Sequence, residues 1–473
     1  MQLVWLRNDL RLGDNPALLG AAAPRRGVLA VAALTPEQWR SHDESPARLA
    51  FWLANLRALQ ADLAAHNIGL QLLSAAGYAE LPQQLLALAR ETRVSGLWFN
   101  REYALNEVRR DQAVTQAFDA AGITVHPCDG DAMVPPGRLT TQAGTPFRIF
   151  TPFARAWRRE LAATAVQPLP RPARQPAPAP GPPVIIPTEL PGWQPGYRDD
   201  LWPAGGTSAM RRLQDFLDGT HSDYAAQRDF PGDAGTSRLS PYLSCGVLSA
   251  RQCLAGVAAR AAGPEWMDDP WVNEIAWRDF FRHLIAAFPG LSRWRPFRPE
   301  IEARIQWRND QRFWQAWTLG ETGFPIVDAG MRELLATGWM HNRVRMVTAS
   351  FLTKLLGVDW RWGARFFMRH LIDGDFAANL GGWQWSASVG ADAAPYFRIF
   401  NPIAQARRFD PHGSYVARWL PELARVAPRD RADPEAAVAA GRPPPIIDYR
   451  KARARSLADY QAAGAARQHL TSR

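Results

Sequence analysis

The sequence predicts two parts: an N-terminal α/β segment with a doubly wound parallel sheet, and an all-α segment joined to it by a Pro-rich linker. Three observations support this. Short apolar runs alternate with helix-patterned segments over residues 1–130, a proline-rich stretch interrupts the middle, and beyond Gly206 a period near 3.6 dominates. At 473 residues the chain also exceeds the size at which a single hydrophobic core stops growing.

In the first segment the strand-like runs are LVWL at Leu3, VLAVAAL at Val28, LQLLS at Leu70, GLWFN at Gly96 and ITVHP at Ile123. Pro46 to His66 and Pro82 to Arg90 carry apolar residues at helical spacing between them. Alternating strands and helices favour a parallel sheet covered on both faces. No GxGxxG or Walker A pattern follows any strand, so a conventional dinucleotide or NTP site is unsupported. Residues 131–205 are the expected linker, because PLPRPARQPAPAPGPPVIIP can continue neither a helix nor a central strand and suits an extended, semi-rigid surface connector. From 206 to 473 the helical segments are Ala209–Leu217, Asp269–Phe288, Gln311–Trp317, Ile326–Ala336, His341–Leu356 and Trp362–Leu371.

Composition narrows the function classes. With 47% hydrophobic and 21% charged residues and no apolar run long enough to cross a bilayer, a soluble globular protein without a membrane partner is expected. The start MQLVWLRNDL enters a strand directly and lacks signal-peptide regions, which predicts a cytoplasmic location. Cys128, Cys245 and Cys253 form no CxxC pair and have no metal-ligand spacing with His, so they read as ordinary thiols and no metal is expected. A net charge of +10 suits a polyanionic partner. Lysine occurs only at Lys354 and Lys451, however, and a biased Arg-, Ala- and Pro-rich composition would give the same excess, so charge permits DNA without proving it. Of 20 tryptophans, 13 lie between Trp266 and Trp419, which serves either core packing or the stacking of planar ligands.

Three constellations carry chemistry. In WVNEIAWRDFFRHL from Trp271, the residues Glu274, Trp277, Arg278 and Phe281 fall on one helical face. That face is either a solvent-exposed Glu274–Arg278 pair or a base-reading surface with an aromatic platform and a carboxylate. GTSRLSPYLSCG from Gly235 places hydroxyls and an Arg before a helix, as a phosphate site or a plain cap would. In TGWMHNRVRMVTASFL, Asn342, Arg345 and Met346 share a face one turn from Trp339; Asp373 and Asp375 then flank Gly374, and suit a metal or a buried Asp–Arg pair. Ala377, Ala378, Gly381 and Gly382 would let a flat ligand approach, and Trp383 and Trp385 point to opposite sides if this stretch is extended.

In this order and spacing, together with LVWLRNDLRLGDNPAL, FNREY, LNEVRRD, QRDFP, DAAPYFRIFNP and NPIAQARRFD, the blocks resemble the DNA photolyase and cryptochrome family, most nearly its bacterial class I cyclobutane pyrimidine dimer photolyases. The likeness spans most of the chain outside the linker and the last thirty or so residues, and its long runs make it specific.

The resemblance implies non-covalent FAD, active as the reduced anion. Tyr224, Thr236, Ser237, Arg238, Leu239 and Ser240 match positions toward its phosphates and ribitol, and Arg278, Asn342, Arg345, Asp373, Asp375 and Asn379 match positions toward its rings, with Asn379 beside flavin N5. Glu274, Trp277, Asn342, Met346 and Trp385 match lesion-binding positions, and Arg228, Arg343 and Arg398 lie near DNA-backbone positions. Trp383, Trp360 and Trp307 match the electron-relay tryptophans. The implied reaction is light-driven splitting of cyclobutane pyrimidine dimers in UV-damaged DNA by electron transfer from reduced FAD to the flipped-out dimer, with Glu274 stabilising charge on the dimer. His42, Asn106 and Glu107 match antenna positions of members that use 5,10-methenyltetrahydrofolate, which ranks above deazaflavin, although Arg293 stands where a nearby Lys is expected. The expected protein is a monomer without an obligate protein partner.

A cryptochrome-type photoreceptor would share the fold and flavin; Asn379, the set Glu274, Trp277, Met346 and Trp385, and the lack of a long tail after the helical segment argue against it. A (6-4) photolyase would place His where Met346 stands. Composition alone would also leave open a nonphotochemical DNA-binding or electron-transfer flavoprotein.

Overall fold

The computed structural model describes residues 1–164, 166–176, 184–193, 196–392, 395 and 398–470, with side chains to Gln461. All five apolar runs form strands: β1 (Gln2–Trp5), β2 (Val28–Leu34), β3 (Gly69–Ser74), β4 (Gly96–Asn100) and β5 (Thr124–Cys128). They pair in parallel in the order β3-β2-β1-β4-β5, with Leu3 opposite Leu29 on one side and Leu97 on the other. This is a doubly wound sheet whose order reverses between β1 and β4. Helices α1 (Pro16–Ala22), α2 (Pro46–Ala65), α3 (Leu81–Glu91) and α4 (Leu105–Ala120) connect the strands. Asn15 and Ser45 cap α1 and α2 through their side-chain oxygens, and each is followed by a proline at the first helical position, where no N–H is needed. Leu3, Trp5, Leu29, Val31, Leu97 and Phe99 meet Leu85, Val114 and Phe118 of α3 and α4 in one buried core.

Within 131–205 the structure places a helix, α5 (Phe150–Ala162), whose Phe153 and Trp157 are fully buried. Proline becomes dense only after residue 166, which leaves this amphipathic segment free to fold. The described residues of the proline-rich stretch contain no helix or strand and are fastened by backbone carbonyls: Gln60 Nε2 donates to Val184 O and Arg57 Nη1 to Pro187 O, both at 2.8 Å.

Helices dominate thereafter: α6 (Gly206–Asp218), α7 (Pro270–Ala287), α8 (Gln311–Leu319), α9 (Pro325–Thr337), α10 (Asn342–Ser350), α11 (Trp360–His370), α12 (Phe376–Ser386) and α13 (Tyr449–Leu470). The expected single helix over His341–Leu356 is instead α10 followed by a π-helical turn, Phe351–Leu356, closed by Gly357 at φ 70°. The stretch containing Trp383 and Trp385 is helical, not extended. Phe376, Leu380 and Trp383 recur at helical spacing, and Leu380 and Trp383 are buried, so burying this stripe outweighs the glycines' preference for looser backbone. An extended backbone would set residues two apart on the same side, contrary to the expectation; it is the helix, turning about 200° over two residues, that sends Trp383 and Trp385 to opposite sides, one buried and one half-buried.

The chain divides into two compact units. One comprises residues 1–219, 237–292 and 372–375, and the other 220–236, 293–371 and 376–473. No helix among the described residues is long and apolar enough to cross a membrane.

Candidate functional site

In the first unit the chemistry gathers around α7. Asp269 caps the helix, accepting from Trp271 N at 2.7 Å and Val272 N at 3.3 Å, and Pro270 follows at the first helical position. This start sets Glu274, Trp277 and Arg278 on one face, with Arg282 a turn beyond Arg278. Arg278 turns to Asp131, donating from Nη1 to its backbone oxygen at 2.8 Å and from Nη2 to its carboxylate. Arg282 bridges: Nε lies 2.9 Å from Asp131 Oδ2, Nη1 lies 2.7 Å from Asp375 Oδ1, and Nη2 lies 2.5 Å from Asp375 Oδ2. Two guanidinium groups thus alternate with two carboxylates. Burial pushes the Asp131 carboxyl up, but Arg278 and Arg282 outweigh it and hold it well below the ordinary carboxylate range. Asp375 is therefore one half of an Asp–Arg pair, the second of the two readings its sequence position allowed. Trp277 is half-buried and stacks on Phe150 with centroids 3.7 Å apart and planes at 7°, so α5 backs one face of the indole. Ser237, Arg238, Leu239 and Ser240 belong to the same unit and lead into a short helix, Ser240–Ser244; Arg238 adopts φ 49°, a left-handed conformation uncommon outside glycine. Asp373 is buried in this unit as well.

This unit also brings His42, Asn106 and Glu107 together. The His42 ring reaches Asn106 Nδ2 at 3.0 Å through Nε2 and Glu107 Oε1 at 3.5 Å through Nδ1, while the Tyr78 hydroxyl donates to Glu107 Oε1 at 3.1 Å. Asn106 and Glu107 stand in the first turn of α4, and His42 follows a short helix after β2. The neighbouring crevice, at the carboxyl ends of β1, β2 and β4, is packed with charge. Arg7 pairs with Asp111 at 3.1 Å and Arg110 with Glu102 at 2.7 Å, and both guanidinium groups lie over Trp5, at 4.3 and 4.8 Å.

In the second unit, helix α11 presents two neighbours to α12. Asn379 Nδ2 donates to Ala364 O at 2.9 Å, which orients its amide carbonyl away from α11. Gly363 admits Trp383: a Cβ there would lie 2.1 Å from the indole. At Gly382 a Cβ would meet nothing within 4 Å, so backbone approaches open space at this turn. His341 caps α10 through Nδ1, accepting from Arg343 N at 3.2 Å, and Arg345 Nε donates to Met340 O at 2.8 Å. Asn342 is exposed and Met346 half-buried on the same helix. The Arg343 guanidinium pairs with Asp229 at 2.6 Å and lies over Phe409, and that of Arg228 lies over Tyr224. Thr236 and Trp385 also belong to this unit, and Arg398 accepts at its backbone oxygen from Lys354 Nζ at 3.0 Å. Four residues of DAAPYFRIFNP, at positions 393, 394, 396 and 397, lie outside the described residues. The three relay candidates differ in setting. Trp383 has Trp317 and Phe367 as ring neighbours, Trp360 donates from Nε1 to Glu302 Oε1 at 2.7 Å, and the Trp307 indole N–H is buried without a hydrogen-bond partner among the described residues.

Arg282, Asp131, Gly363 and Glu302 were not singled out by sequence reasoning. For Arg282 a signal existed, since it continues the stripe of Glu274 and Arg278 by one turn; a glycine inside the helical pattern of α11 was another. Asp131 and Glu302 lie in irregular or short segments with no periodicity to mark them.

Residues 2–177 match the family model for DNA photolyase, and residues 271–462 match that for the FAD binding domain of DNA photolyase. This chain belongs to the DNA photolyase family. It is 42% identical to a deoxyribodipyrimidine photo-lyase of Vibrio cholerae over 90% of this chain and 91% of that one. Among solved structures it resembles a bacterial class III photolyase from Agrobacterium tumefaciens, with a TM-score of 0.87 and 36% identity over 98% of both chains. A cryptochrome of Synechocystis gives 0.83 and 28%, covering 96% of this chain and 98% of that one. Within the second unit the residues fit the FAD expected of a photolyase: a neutral amide at Asn379 anchored to Ala364 O, and a helix turn at Gly382 where a side chain would meet nothing within 4 Å.

Proposed function

We propose that the chain is a deoxyribodipyrimidine photo-lyase that splits cyclobutane pyrimidine dimers in UV-damaged DNA under light. The observation that carries this reading is the relation to deoxyribodipyrimidine photo-lyases over nearly the full length of both chains. Reduced FAD, when bound, supplies the light-excited electron donor that opens the cyclobutane ring. The protein's residues bind, orient and exclude water. Tyr224 and the run Thr236 to Ser240 hold the phosphate side, while Asn342, Arg345, Asp373, Asp375 and Asn379 hold the rings. The Asn379 carbonyl, left free to accept by the bond from its Nδ2 to Ala364 O, would accept from the flavin and add no charge of its own. Arg278 acts mainly through Asp131, fixing the lattice that ends at Asp375. Trp277, backed by Phe150, stacks a flipped pyrimidine; Glu274 accepts from its polar edge, and Met346 and Trp385 complete the contact. Arg228, Arg343 and Arg398 take the DNA backbone. Trp383, Trp360 and Trp307 supply electrons. Residues 1–130 form the antenna part, 131–205 the linker and 206–473 the catalytic part.

For the antenna, His42, Asn106 and Glu107 are assigned to 5,10-methenyltetrahydrofolate. One observation supports the folate reading: these three side chains already form a cluster beside a crevice lined by the Arg7 and Arg110 ion pairs.

The test is illumination of a defined thymine-dimer oligonucleotide with the fully reduced holoenzyme. Dimer is consumed under light and persists in the dark, and Glu274→Ala lowers repair yield more than it lowers FAD content. No repair by fully reduced, FAD-loaded protein would overturn the assignment and leave the cryptochrome reading.

A further inference from the structure

Trp360 is fully buried, whereas Trp307 is half-buried. Removing an electron from Trp360 leaves a positive charge inside the fold, where burial disfavours any cation. The Arg361 guanidinium, centred 4.5 Å over the ring, adds a like charge. Against both stands Glu302, the last residue of the short helix Pro299–Glu302. Its Oε1 accepts from Trp360 Nε1 at 2.7 Å, the short end of the N–H···O range, and from Arg361 Nη1 at 3.0 Å, while Oε2 accepts from Arg361 Nη2 at 2.7 Å. Asp359 caps α11, accepting from Arg361 N at 2.9 Å, and its Oδ1 also lies 3.1 Å from Arg361 Nη1. One carboxylate suffices to neutralise one guanidinium. Two are present, so Glu302, Asp359 and Arg361 together carry one net negative charge, and an oxygen of one carboxylate sits on the indole N–H. A buried indole N–H needs an acceptor, but a neutral oxygen would serve that need as well.

We propose that Glu302 is a catalytic residue of electron supply: its carboxylate, held on the Trp360 indole N–H, stabilises the indole cation formed there and makes Trp360 the better donor to oxidised Trp383. The proposal rests on the reading of Trp383, Trp360 and Trp307 as the electron supply to photoexcited oxidised FAD. One electron leaves Trp383 for the flavin, and one from Trp360 refills Trp383. The proton stays on Trp360 Nε1, in its bond to Glu302, so an electron moves alone and the carboxylate holds the resulting cation as a charge-assisted hydrogen bond. One electron from Trp307 then restores Trp360. An exogenous thiol gives one electron to Trp307 and its proton to water, and is itself oxidised to a thiyl radical. Glu302 thus acts at the step that draws the positive charge away from the flavin, and it does so against the charge of Arg361 over the same ring.

The experiment is laser-flash absorption of tryptophan radicals in the oxidised holoenzyme, with FAD content and flavin absorbance recorded for every variant. Glu302→Gln keeps an oxygen for the indole N–H and removes the charge. The yield of long-lived tryptophan radical then falls about tenfold, the difference between a charge-assisted and a neutral hydrogen bond. Arg361→Leu, added to Glu302→Gln, removes the opposing charge and restores part of that yield. The opposite signs separate electrostatics from packing, because a disturbed start of α11 would lower the yield in both. If Glu302→Gln loses FAD, Glu302→Asp is measured in its place; it draws the charge back by one methylene and loses part of the yield. The proposal is overturned if the Glu302 variant that retains FAD keeps the wild-type yield, or if Arg361→Leu fails to raise the yield in that background. An undiminished radical yield in Trp360→Phe would instead remove the relay reading on which the assignment rests.

Discussion

Replacing Lys354 by Met removes an ammonium group that the fold holds in an unfavourable place. Lys354 lies in the π-helical turn, 2% exposed, with Nζ 3.0 Å from Arg398 O and 5.7 Å from the Tyr460 ring centroid. Burial, with the nearby charge of Arg398 adding to it, pushes its pKa down from 10.5 to about 7. At ~1.4 kcal/mol per unit, a gap of that size disfavours the charged form by roughly 5 kcal/mol. In the unfolded chain the lysine keeps its proton up to about 10.5, whereas in the fold it releases it near 7. Between those values the unfolded state binds more protons, so stability rises with pH; the penalty is fully present below about 7 and gone above about 10.5. From about pH 7.5 to 9.5 the wild type gains ~2–3 kcal/mol from this group, and Lys354→Met lacks that gain. The variant gives up one hydrogen bond to Arg398, about 1 kcal/mol, and is still the more stable protein near neutral pH. Urea unfolding followed by tryptophan emission across this range measures the difference between the two proteins. Parallel stability curves would refute the reasoning, since every other titrating group is common to both.

Three further outcomes follow from the same geometry. Arg282→Met removes one of the two arginine partners of Asp131, which keeps Arg278, and breaks the Arg282–Asp375 pair; with those carboxylates 23% and 16% exposed the loss is ~1–3 kcal/mol at neutral pH, below the full penalty for a wholly buried pair; urea midpoints and FAD retention on gel filtration check it. The Asp131 part of that contribution is present above about pH 4 and fades as pH falls below it, because its folded pKa is depressed. Gly363→Ala drives a methyl group into Trp383 and Leu352, costs ~1–3 kcal/mol and slows photoreduction of FAD; a variant with wild-type stability and photoreduction would show that the seam yields freely. Trp277→Ala weakens binding of a dimer-containing oligonucleotide by ~1–3 kcal/mol, roughly 5- to 150-fold, and leaves binding of undamaged duplex nearly unchanged, as a titration of each by fluorescence anisotropy would read out.

Periodicity made the sheet legible because each strand is short, apolar and bounded by a helix of the opposite period; LVWL and VLAVAAL could be read alone. It failed where a local preference competes with a packing stripe. At Gly381 and Gly382 the glycines speak for loose backbone, but Leu380 and Trp383 bury together only if the segment is helical. At Phe351–Leu356 nothing in the pattern distinguishes a π turn from the α-helix it continues. The cluster of His42, Asn106 and Glu107 was reached through resemblance, because no rule of spacing joins residue 42 to residue 106. The Asp131–Arg282 contact was hidden for the same reason, its partners standing 151 positions apart.

Adjacent residues on α11 bind together two tasks that look separate in the sequence. Gly363 leaves the space that Trp383 fills, and the carbonyl of Ala364 fixes the amide of Asn379. On the proposed roles of Trp383 and Asn379, electron supply and the polarity beside the flavin would therefore depend on one helix seam. A shift of α11 large enough to relieve a methyl group at 363 must also move the oxygen that orients Asn379, because consecutive residues of a helix move as a rigid unit. Substitutions at 363 should therefore disturb photoreduction and the flavin's absorbance together, whereas Trp383→Phe, which leaves the backbone of α11 in place, should disturb only the first. Separable effects at Gly363 would mean that the two helices repack locally, and that the coupling lies in the side chains alone.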